Sequence, residues 1–358
     1  MEEKIAKILS QYDLGEKVVS CERFGVGHIN WTYRVETADG GLFVLQKINT
    51  YVFRDPVGLM RNIGLLTDFM RKKTDDPRKV LELIRTTGGS TYVVTDDDEY
   101  WRIYVFVRDC VCYDEAENLE LFRESGRAFG NFQNMLADFP VSELVETIPN
   151  FHNTVSRYRD FEAALAADVK GRAAGVRQDI ENYLSQKPFA SFLLDKVAAG
   201  EIPLRVTHND TKINNVLFDR TTQKALCVVD LDTTMPGIAA IDFGDGIRYA
   251  GNNAAEDEKD LSKVFLRMDL FRAFAEGFCG MSRDYLGRNE LMLCPEASKL
   301  ITLETGLRFL ADYLEGDVYF HTDYPEHNLV RARTQFKLAM DMEKHMDDMR
   351  GIIAEILE

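Results

Sequence analysis

The sequence has no unbroken apolar run near the roughly 18 residues a membrane-spanning helix needs, so a transmembrane reading is excluded. The N-terminal Met1-Glu-Glu-Lys-Ile-Ala-Lys is charged and amphipathic and has no signal-peptide core. The six cysteines are scattered at 21, 110, 112, 227, 279 and 294. No Cys-x-x-Cys pair and no Cys/His group with zinc-finger spacing occurs among them. Reduced thiols in a cytoplasmic protein are therefore expected. Positive charge is in deficit: 43 Lys and Arg face 59 Asp and Glu, a formal net charge of −16. That balance argues against nonspecific nucleic-acid binding, which needs a basic face. The acid is spread along the chain, as in Asp96-Asp97-Asp98-Glu99 and Glu256-Asp257-Glu258, and reads as solvated surface rather than as a site for a cationic substrate. Repeats, low-complexity tracts and long linkers are also missing. What remains is a chain of 358 residues, 45% hydrophobic, with material for one to three ordinary globular domains.

The first ~105 residues read mostly as strands. Trp31 to Thr37 alternates before the turn Asp39-Gly40-Gly41, and Leu42 to Ile48 returns. A helix is expected over 57–72, then two further strands near 91–95 and 102–107. After Asp109 the pattern turns helical. Leu121, Phe122, Ala128, Phe129, Phe132 and Leu136 recur near helical spacing over 120–136. Further helices are expected at about 157–170, 175–199, 257–279, 296–315 and 327–357. The fold class is α+β, with a small antiparallel β part over 1–108 and a large, mainly helical part over 109–358.

One stretch inside the helical part carries chemistry. Val206-Thr-His-Asn-Asp210-Thr-Lys212-Ile-Asn-Asn215 has His-x-Asp, a Lys two residues on, and an Asn five residues after the Asp. This is the spacing of a kinase catalytic loop, in which a carboxylate accepts a hydroxyl proton and an amide oxygen holds magnesium. A hydroxyl is a poor nucleophile, so a positioned carboxylate must orient it and take its proton, and Asp210 is the candidate. Asn215 is a neutral oxygen ligand of the kind that leaves a magnesium ion room for water and phosphate oxygens. Lys212 is either a cation on the transferring phosphoryl group or a solvated lysine. His208 is expected to brace the loop. The whole pattern is that of a two-lobed kinase, with nucleotide expected in the cleft between lobes.

The second metal ligand has two candidates. A literal Asp-Phe-Gly stands at 242–244, but it lies far beyond Asn215 with Met235-Pro-Gly-Ile-Ala-Ala intervening. Asp230 instead ends the apolar run Ala225-Leu-Cys-Val-Val229 directly, where a hairpin would bring it back to the loop. Magnesium is therefore assigned to Asp230, with Asp232 as a helper, and Asp242 to anchoring the loop or capping a helix. Nucleotide contacts are less sharp. Gly25 and Gly27 in Phe24-Gly-Val-Gly-His-Ile-Asn30 form a candidate glycine loop over phosphates, a pattern that is also a common turn. On Phe43-Val-Leu-Gln46-Lys47, alternation puts Gln46 and Lys47 on opposite faces and leaves open which one meets ATP. Val105 and Val107 are candidate backbone partners for adenine.

At these motifs the chain resembles the aminoglycoside phosphotransferase and choline kinase branch of the protein-kinase-like fold. His208, Asp210, Asn215, Asp230 and Asp242 occupy that branch's signature positions, and its Asp230 position binds magnesium. Within the branch, Gly27-His28-Ile-Asn30, Asp242-Phe-Gly-Asp245, Arg308-Phe-Leu-Ala-Asp-Tyr-Leu-Glu-Gly316 and Tyr324 to Gln335 resemble the N-acetylhexosamine 1-kinase family. That resemblance runs from about residue 20 to 345. It implies ATP and magnesium as cofactors and the anomeric hydroxyl of N-acetylglucosamine or N-acetylgalactosamine as acceptor. It also implies His28, Tyr249, Arg308 and Tyr319 beside the sugar, with Asp210 on the reacting hydroxyl. Where most of the branch has a strand lysine, this chain has Gln46. The alternative is the same chemistry on an amino alcohol such as choline or homoserine, or on another sugar. A nucleotide-binding relative without transfer would lack at least one of Asp210, Asn215 and Asp230, and all three are present. No nucleic acid or membrane partner is expected; the sequence leaves the oligomeric state open, with a monomer favoured.

Overall fold

The computed structural model describes residues 3–25 and 29–358, so Gly27 and His28 lie outside the described residues. The chain divides into two compact units. The first takes Met1–Val111 together with Asp138–Pro149 and Leu217–Pro236; the second takes Cys112–Ala137, Asn150–Val216 and Gly237–Glu358.

The first unit is built on an antiparallel sheet of five strands: β1 (Val18–Arg23), β2 (Trp31–Thr37), β3 (Leu42–Lys47), β4 (Val93–Val94) and β5 (Tyr100–Val105), in the order β1-β2-β3-β5-β4. Alternation gives the sheet two different faces. Val35, Leu45, Trp101 and Ile103 turn one way and pack against Ile5, Ile8 and Leu9 of the short helix α1 (Glu3–Leu9). Gln46 and Arg102 turn the other way, toward Met60 of α2 (Pro56–Arg71). Helix α2 starts where the sequence supplies a start signal. Asp55 accepts the Gly58 amide at 2.8 Å, and Pro56 takes the first turn, where its missing N–H costs nothing. Losing that cap costs about 1 kcal/mol. Asn62 on α2 holds two later segments. Its amide donates to the Val145 carbonyl at 2.8 Å and the Thr234 carbonyl at 3.3 Å, and its oxygen accepts the Val145 amide at 3.0 Å.

The second unit is helical: α3 (Leu119–Met135), α4 (Thr154–Ala167), α5 (Arg177–Ser185), α6 (Phe192–Ala198), α7 (Ala239–Ala250), α8 (Met268–Ser282), α9 (Arg288–Leu291), α10 (Cys294–Glu315), α11 (His327–Lys344) and α12 (Met346–Ile356). Helix α10 is its axis. Because 19 of its 22 residues are buried, it has no solvent face and must be wrapped by neighbours, which α4, α7 and α11 provide. Helices α3 and α8 cross at backbone contact. A Cβ on Gly277 would stand 2.0 Å from the Arg123 carbonyl oxygen, so only glycine lets them approach this closely.

The architecture is α+β, with the sheet antiparallel as expected. Several boundaries differ; the helix expected over 175–199 divides into α5 and α6 around the 3₁₀ turn Lys187–Phe189, and the one expected over 327–357 divides at His345. The acidic stretch 257–267 is not helical, because Asp260 caps a single 3₁₀ turn through the Ser262 amide and hydroxyl, after which the chain runs extended to Leu266. The strand expected near 91–95 shrinks to Val93–Val94. Among the described residues no two cysteines are joined, and no helix is long and apolar enough to cross a membrane.

Candidate active site

The loop after the strand Arg205–Thr207 is held from below by α7. Asp242, in that helix's first turn, accepts the His208 and Asn209 amides, each at 2.8 Å, and the Gln133 side chain at 2.8 Å. Burial pushes the Asp242 carboxyl up, against the pull of His208 and these amides. Thr211 adds its hydroxyl to the Asp242 carbonyl at 2.5 Å and its amide to Asp245 at 2.9 Å. Two separated backbone segments of the loop are thereby tied to two residues on one helix. The literal Asp-Phe-Gly is therefore helical packing. Phe243 is fully buried among Phe271, Phe274 and Phe278, and a Cβ on Gly244 would meet the Ala297 backbone of α10 at 2.8 Å.

Between these ties the chain turns sharply. Asn209 adopts φ 65°, a left-handed conformation unusual for a non-glycine residue. Asp210 follows, its amide donating to His208 Nδ1 at 3.3 Å. One Asp210 oxygen meets Lys212 Nζ at 2.8 Å and the other accepts Asn215 Nδ2 at 3.0 Å. Burial works to lower the Lys212 pKa, but Asp210 and Asp245 outweigh it and keep the ammonium charged. The Asn215 amide also donates to the Asp210 carbonyl at 2.8 Å. With its donor directed at Asp210, Asn215 has its carbonyl oxygen as the remaining end, the end a hard cation requires. Lys212 sits 5.9 Å over the Tyr249 ring, and Tyr249 donates to the Asp114 carbonyl at 3.4 Å.

Arg308 and Tyr319 lie in the same unit. Asp312 accepts the amides of Val318, Tyr319 and Phe320, at 2.9, 2.8 and 3.0 Å, and so fixes the turn after α10. That turn sets Tyr319 and Phe320 at 5.8 and 5.4 Å from the Arg308 guanidinium, with Phe151 at 5.9 Å. Arg308 is half-buried among these rings. Burial and the neighbouring Arg157 lower its pKa.

In the first unit, Asp230 is exposed, at φ 58°, and opens the 3₁₀ turn Leu231–Thr233. Asp232 is buried, and Arg102 and Asn30 engage its oxygens, the Arg102 Nη2 and Asn30 Nδ2 contacts being 2.9 and 2.5 Å. It anchors the turn that carries Asp230. Gln46 belongs to the same network, accepting Arg102 Nε at 3.0 Å and Nη2 at 2.8 Å. Burial disfavours the Arg102 charge, but Asp232 outweighs it with Tyr104 and Asp230, and the guanidinium stays above its ordinary pKa. Lys47 is on the opposite face, paired with Glu99 at 2.6 Å. The Val105 amide donates to the Glu82 carbonyl at 2.9 Å, and Val107 lies just past the strand end. Gly25 has φ 75°.

The sequence pattern of the phosphotransferase enzyme family (APH) matches residues 20–262, well over half of the chain. The chain belongs to this family. Solved structures of similar fold include the aminoglycoside phosphotransferase of Alicyclobacillus acidocaldarius, 12% identical, TM-score 0.64, covering 98% of this chain and 96% of that one. The microcompartment-associated aminopropanol kinase is 16% identical, TM-score 0.57, covering 97% and 98%. Amicoumacin kinase, in complex with AMP-PNP, Ca2+ and Ami, is 12% identical, TM-score 0.60, covering 97% and 93%. At these identities the likeness is one of fold, the protein-kinase-like fold of the family.

The donors suit the metal such a family would use. Taken singly, Asn215 in the second unit and Asp230 in the first each offer a hard oxygen atom, a donor type that suits magnesium or calcium rather than a thiophilic ion. Among the described residues no cluster of three or more His, Cys, Asp or Glu forms a closed metal cage. The residues that pattern reading missed are Arg102, His152, Asp245 and Glu304. Each acts through a partner far away in sequence, and no local spacing marks them.

Proposed function

We propose that the chain is an ATP- and magnesium-dependent kinase that phosphorylates the anomeric hydroxyl of N-acetylglucosamine or N-acetylgalactosamine, giving the sugar 1-phosphate and ADP. Asp210 accepts the hydroxyl proton as the sugar oxygen attacks the γ-phosphorus, and the bond to the β,γ-bridging oxygen breaks in line. Lys212 holds the carboxylate in place and faces the phosphoryl charge. Asn215 and Asp230 are the proposed ligands of magnesium, which when bound would neutralise charge on the phosphate oxygens. Gly25, Gly27, Gln46 and the backbone at Val105 and Val107 are assigned to nucleotide, and His28, Tyr249, Arg308 and Tyr319 to the sugar. Residues 1–108 are proposed as the nucleotide-binding lobe and 109–358 as the catalytic and sugar-binding lobe. The setting is cytoplasmic amino-sugar salvage, with the protein a monomer.

The observation that carries the acceptor reading is Arg308, bracketed by Phe151, Tyr319 and Phe320 in the same unit as Asp210. A neutral sugar amide is recognised by a planar donor and aromatic faces. A cationic choline or amino alcohol would be disfavoured beside the Arg308 charge. The test is a panel of hydroxyl acceptors with coupled ADP detection and NMR location of the product phosphate. Turnover of N-acetylhexosamines with phosphate at C1 supports the reading. Strong turnover of choline, homoserine or an aminopropanol, with none of N-acetylhexosamines, removes it.

A further inference from the structure

One largely buried histidine outside the loop touches its backbone. His152 precedes α4, and its side chain is 12% exposed. Its Nδ1 lies 2.9 Å from Glu304 Oε1 on α10, and its Nε2 lies 3.0 Å from the Asn209 carbonyl oxygen. A carbonyl oxygen only accepts, and Glu304 already takes the Thr154 hydroxyl on its other oxygen at 2.7 Å. A neutral imidazole has a single N–H, so either tautomer would aim a lone pair at an oxygen in a buried place, which is unfavourable. Two N–H groups satisfy both oxygens. The carbonyl concerned belongs to Asn209, the left-handed residue immediately before Asp210.

We propose that His152 is the positioning residue for Asp210: a doubly protonated imidazolium that ties α10 to the Asn209 carbonyl and holds the backbone turn in front of the base. This rests on Asp210 acting as the base. Charged groups face the ring from three helices. Glu304 on α10 binds it, Asp245 on α7 attracts its charge, and Arg157 on α4 lies near Glu304. Arg308 on α10 also feels Glu304, and Arg248 pairs with Asp245 at 2.9 Å. Burial is the largest influence and disfavours the ring's charge, but the hydrogen bond and charge of Glu304, the Asn209 carbonyl and Asp245 together outweigh it. The Phe151 ring is 4.4 Å from the His152 ring and carries Arg308 on it, so the same contact links the proposed sugar residue to the base.

The test uses the full chain. In the 15N-labelled protein at about pH 7.5, both His152 ring nitrogens should carry protons, with His152→Gln assigning the signals among the six histidines. A single protonated nitrogen overturns the proposal. In hydrogen exchange, His152→Gln keeps a donor to Asn209 and should leave residues 207–215 protected. His152→Phe fills the space without donating and should speed exchange there about tenfold. Neither readout needs an acceptor, so both stand even if N-acetylhexosamines prove not to be substrates. With any acceptor that is turned over, His152→Phe should lower kcat about ten- to a hundredfold with KM for ATP nearly unchanged. Unchanged exchange overturns the proposal, as does faster exchange with an unchanged kcat. If His152→Phe fails to fold, the nitrogen signals still decide.

Discussion

Replacing Arg102 by methionine tests the anchoring network of the first unit most directly. Arg102 makes four hydrogen bonds to oxygen, two to Asp232 and two to Gln46, and its side chain and that of Asp232 are each 2% exposed. Methionine keeps much of the volume and removes every donor, leaving the Asp232 carboxylate buried with only the Asn30 amide. Breaking a buried pair from one side typically costs about 3–5 kcal/mol. At a urea dependence of about 2 kcal/mol/M, the midpoint should fall by roughly 1.5–2.5 M. The chain itself supplies the probe. Its two tryptophans, Trp31 and Trp101, both lie in the first unit, so intrinsic fluorescence follows that unit separately from the helical one. The double variant Arg102→Met with Asp232→Asn should recover part of the loss, because no uncompensated charge then remains buried. If Arg102→Met unfolds within about 1 kcal/mol of the parent, the contacts drawn here do not hold the turn beneath Asp230.

Other perturbations separate chemistry from packing. Asp210→Asn should cut kcat by about a thousandfold while nucleotide binding, measured by calorimetry, stays near the parent value. Gly277→Ala should lower the melting temperature by an amount corresponding to about 1–3 kcal/mol or more, since its Cβ would meet the Arg123 carbonyl at 2.0 Å. The His152–Glu304 pair should shape stability against pH from both sides. The raised His152 pKa contributes stability that is full below the ordinary histidine value and is lost as pH rises through the raised one. The lowered Glu304 pKa contributes stability present above the ordinary glutamate value and lost as pH falls through the lowered one. Urea titrations across pH should therefore show His152→Gln flattening the alkaline edge. An unchanged alkaline edge would contradict the pair.

The pattern of residues determined a good part of this by itself. Alternation predicted β2 and β3, helical spacing predicted α2 and α3, and the Asp-to-Asn spacing from Asp210 marked the loop. These are local periodicities, imposed by side-chain directions within a few residues. Spacing also separated Asp230 from the literal Asp-Phe-Gly, which the fold places inside α7. Sequence pattern could not tell which of Gln46 and Lys47 shares a sheet face with Arg102, nor find the partners of Arg102, His152 or Glu304. Only the tertiary structure decided those, because a buried charge is defined by the partner that compensates it. Asp232 stands 130 positions from Arg102, and Glu304 stands 152 from His152. Nothing near either residue in the chain records which opposite charge folding will bring to it.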